Sequence, residues 1–203
     1  MIIGFVGKSG SGKDTAVSLF LTMADLSTRK DEWVLERRSF ADALKNSSAA
    51  VLDVDRQVLE NHKNNPNAFV ITEIDGIEIA RQTFREHWQR YGTEGHREIK
   101  GFGPDVWLNA CLPSDLDHSR MIIAISDVRF LNEADHIKKG GGYLVRVIGP
   151  DNETGVHASE VELEQIKEDH ILRNHIRDDN YANLVRELEV LARRYMVFDP
   201  VRS

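Results

Sequence analysis

The residues whose spacing points most directly to chemistry lie near the amino terminus, in the stretch GFVGKSGSGKDT at residues 4–15. Gly7, Gly12 and Lys13 match the pattern G-x-x-x-x-G-K, which is typical of a phosphate-binding loop. In such a loop, glycines let backbone N–H groups converge on phosphate oxygens, and the following helix and the lysine supply positive charge. We therefore expect a nucleotide phosphate site here, with the Lys13 side chain facing solvent until the ligand binds.

Asp14 stands where this motif usually carries a serine or threonine. A carboxylate there adds negative charge beside phosphates that already repel it, which favours indirect contact with a metal. One interpretation is that Asp14 accepts hydrogen bonds from the waters of a magnesium ion. The other is that it only stabilises the first turn of the helix through the helix dipole.

A second carboxylate, Asp127, ends the apolar run MIIAISD at residues 121–127. Phosphate-loop proteins place an acid at this position near magnesium, although a turn or helix-capping aspartate would look the same in sequence. Asp14 and Asp127 are thus our candidate ligands for Mg²⁺, directly or through water. Arg129 follows two residues later, where a cation could meet phosphate or form a surface ion pair. The predicted catalytic residues are Lys13, Asp127 and Arg129.

The segment REHWQRYG at residues 85–92 carries a substrate clue. Arg85 and Gln89 are four residues apart and so share one face of the predicted helix. A guanidinium can grip a phosphate with its planar fork, and an amide can read donors and acceptors on a base. The alternative is a solvated charged helix whose Trp88 and Tyr91 pack inward.

The candidate site residues are positioned by strands and helices, and strand and helix patterns alternate along the chain. Apolar strand patterns occur at residues 1–7, 34–41, 120–128 and 143–149, each followed by a helical pattern. This alternation predicts an α/β protein of three layers, with a parallel sheet covered by helices on both faces. The Asp75-Gly76 pair between two alternating runs predicts an inserted β-hairpin at residues 66–80.

Length and composition limit the number of domains and the classes of partner that this chain can have. A chain of 203 residues with 41% hydrophobic content suits a single domain over residues 1–203. One cysteine and the lack of a long apolar run lead us to expect a cytoplasmic protein without membrane contact. The net charge of -7 argues against polymeric nucleic acid as a partner, while leaving small anionic substrates.

Five further stretches follow GKSGSGKDT in a fixed order: SFADALK, REHWQRYGTEGHR, GPDVW, ISDVRFLNEAD and VHASE. Together they resemble the phage deoxynucleoside monophosphate kinase family, which has the phosphate-loop nucleoside monophosphate kinase fold. The resemblance covers most of the chain. It implies transfer of phosphate from ATP, with Mg²⁺, to a deoxynucleoside monophosphate in the host cytoplasm, and it leaves room for a homodimer. In that family the loop also ends in GKD, so Asp14 marks this kind of site.

The resemblance also implies site residues. The donor ATP would be held by Gly7, Lys8, Ser9, Gly10, Ser11, Gly12, Lys13, Asp14 and Thr15. The acceptor would be held by Lys45, Arg85, Gln89, Gly92, Thr93, Glu94, Arg97, Trp107 and Arg129. One departure is that the segment GPDNETGVHASE at residues 149–160 lacks the Arg-x-x-x-Arg lid pattern of adenylate kinases and offers only His157 as a cation. Asn174 is expected in a strand-to-helix loop, either near the donor adenine or bonded to its own backbone.

Two alternatives stay open on the residues alone. The loop and Asp127 also suit a kinase for another small phosphorylated acceptor, such as a coenzyme precursor or phosphomevalonate. A different class is a nucleotide-dependent switch or sensor that binds without transferring phosphate. The stretch NHKN at residues 61–64 is not Asn-Lys-x-Asp, which speaks against a guanine-specific switch.

Overall fold

A computed structural model describes residues 1–26, 33–98, 103–113, 115–117, 119–149, 158–174 and 181–195. These residues form seven strands and eight α-helices. The strands are β1 Ile2–Val6, β2 Val34–Arg38, β3 Phe69–Ile74, β4 Ile77–Thr83, β5 Met121–Val128, β6 Tyr143–Ile148 and β7 His170–Arg173. The helices are α1 Lys13–Asp25, α2 Phe40–Leu52, α3 Arg56–His62, α4 Phe84–Gly92, α5 Val106–Cys111, α6 Leu131–Lys139, α7 Ala158–Gln165 and α8 Ala182–Arg194.

By its contacts the chain divides into two compact units. The first unit comprises Met1–Ser39 and Asp115–Ser203, and the second comprises Phe40–Ser114. The single domain expected from chain length stays a prediction. No helix of the described ranges is long and apolar enough to cross a membrane.

A five-stranded sheet organises the first unit, in the order β2-β5-β1-β6-β7 with every neighbouring pair parallel. β1 pairs with β5 on one side, where Ile3 lies opposite Ala124, and with β6 on the other, where Ile3 lies opposite Tyr143. All five residues of β1 are buried. Because a central parallel strand is covered on both faces, its sequence is continuously apolar, which is why MIIGFVG is readable as a strand.

Helices cover both faces of this sheet, which confirms the predicted fold class. On one face, Phe5 packs with Phe20 of α1 and Leu188 of α8 in a single hydrophobic cluster. On the other face, a Cβ placed on Gly4 would lie 2.6 Å from Cδ1 of Ile137, so this α6 side chain packs directly against the backbone of β1. Successive residues of a strand point to opposite faces, so α6 lies opposite α1 and α8.

The register of the sheet gathers the carboxyl ends of three strands at one edge. Val6, the last residue of β1, pairs with Val128, the last residue of β5. Arg38, the last residue of β2, pairs with Ile125 of β5. Loops at this edge of an open parallel sheet form the binding crevice in α/β proteins. The register therefore brings the phosphate loop and Asp127 to the same edge.

The second unit contains the predicted hairpin, which is confirmed with its strands at Phe69–Ile74 and Ile77–Thr83. Asp75 and Gly76 form its turn with φ of 54° and 77°, as the Asp-Gly pair predicts. Thr83 then starts α4 through a reciprocal capping box with Glu86. Residues Thr93–Arg97 continue α4 as a single π-helical turn, a geometry found often at functional sites.

Two boundaries differ from the sequence-based expectation. β2 ends at Arg38 and α2 begins at Phe40, whereas the strand was expected to run to residue 41. Phe40 is 2% exposed, so this residue is apolar because it is buried at the first position of α2.

The helix α3 was not predicted from the sequence. Leu59 is the one buried residue of α3, and a helix with so narrow an apolar face gives little periodic signal.

The packing of α8 generates a stability prediction. Leu188 is completely buried in the sheet-facing cluster, whereas Val190 on the same helix is 58% exposed. We expect Leu188→Ala to lower the free energy of unfolding by about 2–5 kcal/mol, since it leaves a cavity in a close-packed core. Val190→Ala is the matched control and should change it by less than about 0.5 kcal/mol. Urea unfolding followed by circular dichroism measures both, and equal effects would contradict the assigned orientation of α8.

Candidate active site

The phosphate loop connects β1 to α1, and its backbone conformation depends on glycine. Gly12, immediately before α1, has φ of 91°, a left-handed conformation that side chains rarely adopt. A Cβ at Gly12 would also lie 2.2 Å from Nδ2 of Asn174. That Nδ2 donates a hydrogen bond to the backbone oxygen of Ser11 at 3.1 Å. Asn174, which follows β7, therefore supports the phosphate loop. The sequence-based expectations for Asn174 were a position near the donor adenine or a bond to its own backbone, and neither of them included this contact with Ser11.

Lys13 is buried, not solvent-facing as expected from the sequence. Its side chain folds back over the loop, and Nζ donates hydrogen bonds of 2.7 Å to the backbone oxygens of Gly7 and Lys8. Lys13 as a whole is 8% exposed. The loop carbonyls accept hydrogen bonds that the ammonium would otherwise donate to water, which reduces the free-energy cost of burying it.

Burial changes the electrostatics of Lys13. Desolvation, helped by the positive charge of Arg129, lowers the pKa of Lys13 to about 8, although Asp14 and Asp127 oppose the shift. A charged lysine in this position is therefore poorly compensated. An incoming anion would relieve that cost, because an opposite charge favours the protonated amine.

Arg129 lies just beyond β5 and its side chain is exposed. Its backbone N–H donates to Glu133 Oε2 at 2.8 Å, and the N–H of Phe130 donates to the same oxygen at 3.1 Å. Glu133 is 2% exposed. This buried carboxylate fixes the start of α6 and thereby the backbone that carries Arg129. Sequence reasoning identified Arg129 but missed Glu133.

Asp127 is half-buried near the carboxyl end of β5. Its Oδ2 accepts a hydrogen bond of 2.7 Å from the hydroxyl of Ser39, which follows the end of β2. Sequence reasoning missed Ser39. The signal for it was present, since the carboxyl ends of neighbouring parallel strands meet at one edge and Ser39 opens the SFADALK stretch.

Asp14 lies in the first turn of α1, and its side chain forms an ion pair with Arg37 of β2. Arg37 Nη2 donates a hydrogen bond to Asp14 Oδ1. The Asp14 side chain is 76% exposed and that of Arg37 is 45% exposed. Arg37 was not among the predicted site residues.

The remaining loop positions differ in exposure. Lys8 is half-buried, and its ammonium lies 3.9 Å from Glu164 of α7. Ser9 and Gly10 are exposed at the tip, whereas Ser11 is only 1% exposed. Gly7 is buried, and a Cβ there would lie 2.6 Å from the backbone oxygen of Val147. Thr15 is half-buried in the first turn of α1.

Two carboxylates, Asp14 and Asp127, are the electrostatic neighbours of Lys13 that could serve a metal ion. No group of three or more His, Cys, Asp or Glu side chains suited to a metal occurs among the described residues. Mg²⁺ in phosphoryl-transfer enzymes needs only one or two carboxylates, since it keeps waters and binds substrate phosphates. The residues present therefore fit magnesium carried by a nucleotide.

The predicted acceptor residues all lie in the second unit, apart from Arg129. Lys45 of α2 donates a hydrogen bond of 2.6 Å to Glu60 Oε1 and lies 5.2 Å from the Trp88 ring centroid. Burial tends to raise the pKa of Glu60, but hydrogen bonds from Lys45 and Lys63 outweigh it and hold the pKa below its usual value. Sequence reasoning missed Glu60 as the partner of Lys45, because α3 was not predicted.

Arg85 and Gln89 are both exposed on α4, on the shared face expected from their spacing. Arg85 Nη2 donates a long hydrogen bond of 3.4 Å to Asn64 Oδ1. Thr93 and Glu94 are exposed in the π-helical turn, and Glu94 accepts a hydrogen bond of 3.3 Å from Arg90. Arg97 is half-buried at the end of that turn.

Gly92 and Trp107 are buried packing positions. The Trp107 indole N–H donates to the backbone oxygen of Gly92 at 3.1 Å. A Cβ at Gly92 would lie 2.2 Å from Leu44 Cδ1, so a larger residue at this position would require the Leu44 side chain to move. These contacts fix the end of α4, where Tyr91, His96 and Trp107 form an aromatic cluster with centroid distances of 4.3, 4.8 and 6.2 Å. His157, the candidate lid cation, lies outside the described residues.

Comparison with known proteins shows a similarity in sequence to a viral protein. A protein of Acanthamoeba polyphaga mimivirus named "Putative deoxynucleotide monophosphate kinase" is 30% identical over 174 residues, covering 82% of this chain and 84% of that protein. No family model matches the chain. Among solved structures, shikimate kinases from Aquifex aeolicus and Bacteroides thetaiotaomicron are 13% and 11% identical, with TM-scores of 0.40 and 0.38. Each alignment covers 97% of this chain and 98% of the shikimate kinase.

The lowered pKa of Lys13 predicts a pH dependence for binding of a nucleoside triphosphate. In the free protein Lys13 loses its proton above about pH 8, and phosphate binding must restore it. Affinity should therefore fall as pH rises above about 8, by at most about tenfold per pH unit. Isothermal titration calorimetry with ATP measures this. Lys13→Arg, whose charge does not titrate here, is the control, and a wild-type affinity independent of pH in this range would contradict the assignment.

Proposed function

The chain belongs to the deoxynucleotide monophosphate kinase family, and from this premise we propose that it transfers the γ-phosphoryl group of ATP to a deoxynucleoside monophosphate. The products would be ADP and a deoxynucleoside diphosphate. Family membership establishes the chain as a kinase of the phosphate-loop type. The choice of ATP as donor and of a deoxynucleoside monophosphate as acceptor is our proposal, since it rests on the relative's name and on the residues discussed above.

The observation that carries the proposal is the buried ammonium of Lys13 at the phosphate loop. Two loop carbonyls hold its Nζ at 2.7 Å, and the charge of Arg129 acts on it in the same direction as burial. A protein gains no stability from crowding cations around a desolvated amine. Such an arrangement suits a polyanion, which would neutralise both charges on binding.

Phosphoryl transfer asks the protein mainly for positioning and charge neutralisation, because the protein forms no obligatory covalent bond to the phosphoryl group. We assign binding of the donor phosphates to the loop backbone, from Gly7 to Thr15. Lys13 and Arg129 are proposed to neutralise charge on the transferred group. Exclusion of water from the site would favour transfer to the acceptor over hydrolysis of ATP.

Magnesium bound with ATP would neutralise phosphate charge during transfer. Asp127 is the proposed ligand on the sheet side, oriented by the Ser39 hydroxyl at 2.7 Å. Asp14 is the proposed second contact, through water, since its carboxylate is exposed and already engaged on one oxygen by Arg37. Water-mediated contact fits the preference of Mg²⁺ for a largely hydrated shell.

Side chains of the second unit are proposed to bind the acceptor. Arg85 and Arg97 supply positive charge for its phosphate, and Gln89 supplies an amide for the base. Gly92 and Trp107 act by fixing the end of α4, as their buried contact indicates. The full proposed set is Lys45, Arg85, Gln89, Gly92, Thr93, Glu94, Arg97 and Trp107, together with Arg129 of the first unit.

The direct test is product analysis with ATP, Mg²⁺ and each deoxynucleoside monophosphate in turn. We expect ADP and a deoxynucleoside diphosphate to form in equal amounts. Lys13→Ala should reduce turnover by at least about a hundredfold while the cooperative melt is retained, because its charge serves the ligand. Nucleotide binding without any product would indicate a switch. Transfer only to another phosphorylated compound would indicate a different kinase.

Acceptor specificity provides a second test. We expect Arg85→Ala and Arg97→Ala to raise the Michaelis constant for the deoxynucleoside monophosphate about tenfold or more, since each removes a charged hydrogen-bond donor. The Michaelis constant for ATP should change little. Arg81→Ala is the matched control, because Arg81 is an arginine of the same unit paired with Glu78 at 2.7 Å. A rise confined to the ATP constant would show that Arg85 and Arg97 do not serve the acceptor.

A further inference from the structure

Arg37 is a cation that neither the motif nor the resemblance identifies, and it lies beside the phosphate loop. Its Nη2 donates to Oδ1 of Asp14, the residue directly after Lys13 in the first turn of α1. The amino end of a helix attracts anions through its unpaired N–H groups and its dipole. The Asp14 contact thus holds a guanidinium at the same helix end as the loop.

The Asp14–Arg37 pair contributes little to stability. The two side chains are 76% and 45% exposed, and ion pairs so exposed to water typically contribute about 0–1 kcal/mol. Among the described residues, Arg37 makes this one side-chain hydrogen bond. A guanidinium has five N–H donors in a planar fork, so most of its hydrogen-bonding capacity is available to a ligand.

The chemistry of Arg37 differs from that of Lys13. Nζ of Lys13 already donates hydrogen bonds of 2.7 Å to the backbone oxygens of Gly7 and Lys8. An arginine is charged at every physiological pH and binds phosphate oxygens two at a time. Its position on β2 also places it next to β5, where Arg37 pairs with Ala124, three residues before Asp127.

From these contacts we propose that Arg37 is a further binding residue for the donor phosphates, held at the loop by Asp14 until the nucleotide binds. This rests on the proposed function in one respect, namely that the donor is a nucleoside triphosphate. It also gives a reason for an aspartate in place of the usual hydroxyl residue. A carboxylate at position 14 can retain a cation at the phosphate site, whereas a serine or threonine hydroxyl could not do so by charge.

The adjacent residue offers a matched control. Arg38 lies on the same strand, but successive side chains of a strand point to opposite faces. Its guanidinium forms two hydrogen bonds of 2.9 Å with Glu36, through Nε and Nη2. Removing Arg38 therefore changes the net charge by the same amount as removing Arg37, without removing the group beside Asp14.

The experiment is isothermal titration calorimetry of ATP into the full chain in the presence of EDTA, which silences any metal role of Asp14 or Asp127. We expect Arg37→Ala to raise the ATP dissociation constant about tenfold, as for loss of a charged hydrogen bond. Arg37→Lys should give a smaller rise, since it keeps the charge but loses the fork. Arg38→Ala should stay within about twofold of wild type, since the Arg38 guanidinium is hydrogen-bonded to Glu36. Melting curves for the three variants check that each is folded.

Equal dissociation constants for Arg37→Ala and Arg38→Ala would overturn the proposal, because charge alone would then explain any effect. Wild-type affinity in Arg37→Ala would overturn it as well. This outcome is separate from that of the proposed function, since binding is measured without an acceptor or turnover. A chain that fails to phosphorylate deoxynucleoside monophosphates, yet loses ATP affinity selectively in Arg37→Ala, would refute the function and retain the phosphate-binding role of Arg37.

Discussion

The parallel pairing of β1 with β5 is the constraint on which the candidate active site depends. Val6 lies opposite Val128, so the strand that leads into the phosphate loop and the strand that carries Asp127 end at the same edge. β2 pairs with the other side of β5 and adds Ser39 to that edge. Apolar burial holds the strands together, since the core residues of β1 and β5 are almost entirely excluded from water. The apolar strands β1 and β5 thus position the polar residues of the candidate active site.

Electrostatics at this edge favour a ligand over an empty site. Folding buries the Lys13 ammonium against loop carbonyls and near a second cation, which lowers its pKa to about 8. Burying a charge is costly unless hydrogen bonds or an opposite charge compensate it. Functional sites commonly retain such an incompletely compensated charge, because the ligand supplies the missing compensation. The hydrophobic cluster between the sheet, α1 and α8 offsets the free energy that is lost in burying this charge.

In the second unit, α4 has one face that packs against its neighbours and another face of exposed polar residues. On α4, His87 is 9% exposed and hydrogen-bonds to Ser48 at 2.9 Å, and desolvation lowers its pKa. This contact fixes one face of α4 against α2. Arg85 and Gln89 on the same helix are exposed. The segment REHWQRYG therefore carries both a structural face and a solvent face, so its polar residues need not all have one role.

The sequence by itself determined the features that depend on neighbouring residues. The glycine pattern of the phosphate loop, the Asp75-Gly76 turn and the buried run of β5 are local, because backbone conformation and apolar periodicity follow from nearby residues. Alternation of strands and helices then determined the fold class. Only the tertiary structure decided the burial of Lys13 and the partners of Asp14, Asp127 and Lys45. These partners come from distant parts of the chain, as the sequence separation of 88 between Ser39 and Asp127 illustrates. Charges and hydrogen bonds act through space, so only the packing of the sheet decides which of them meet.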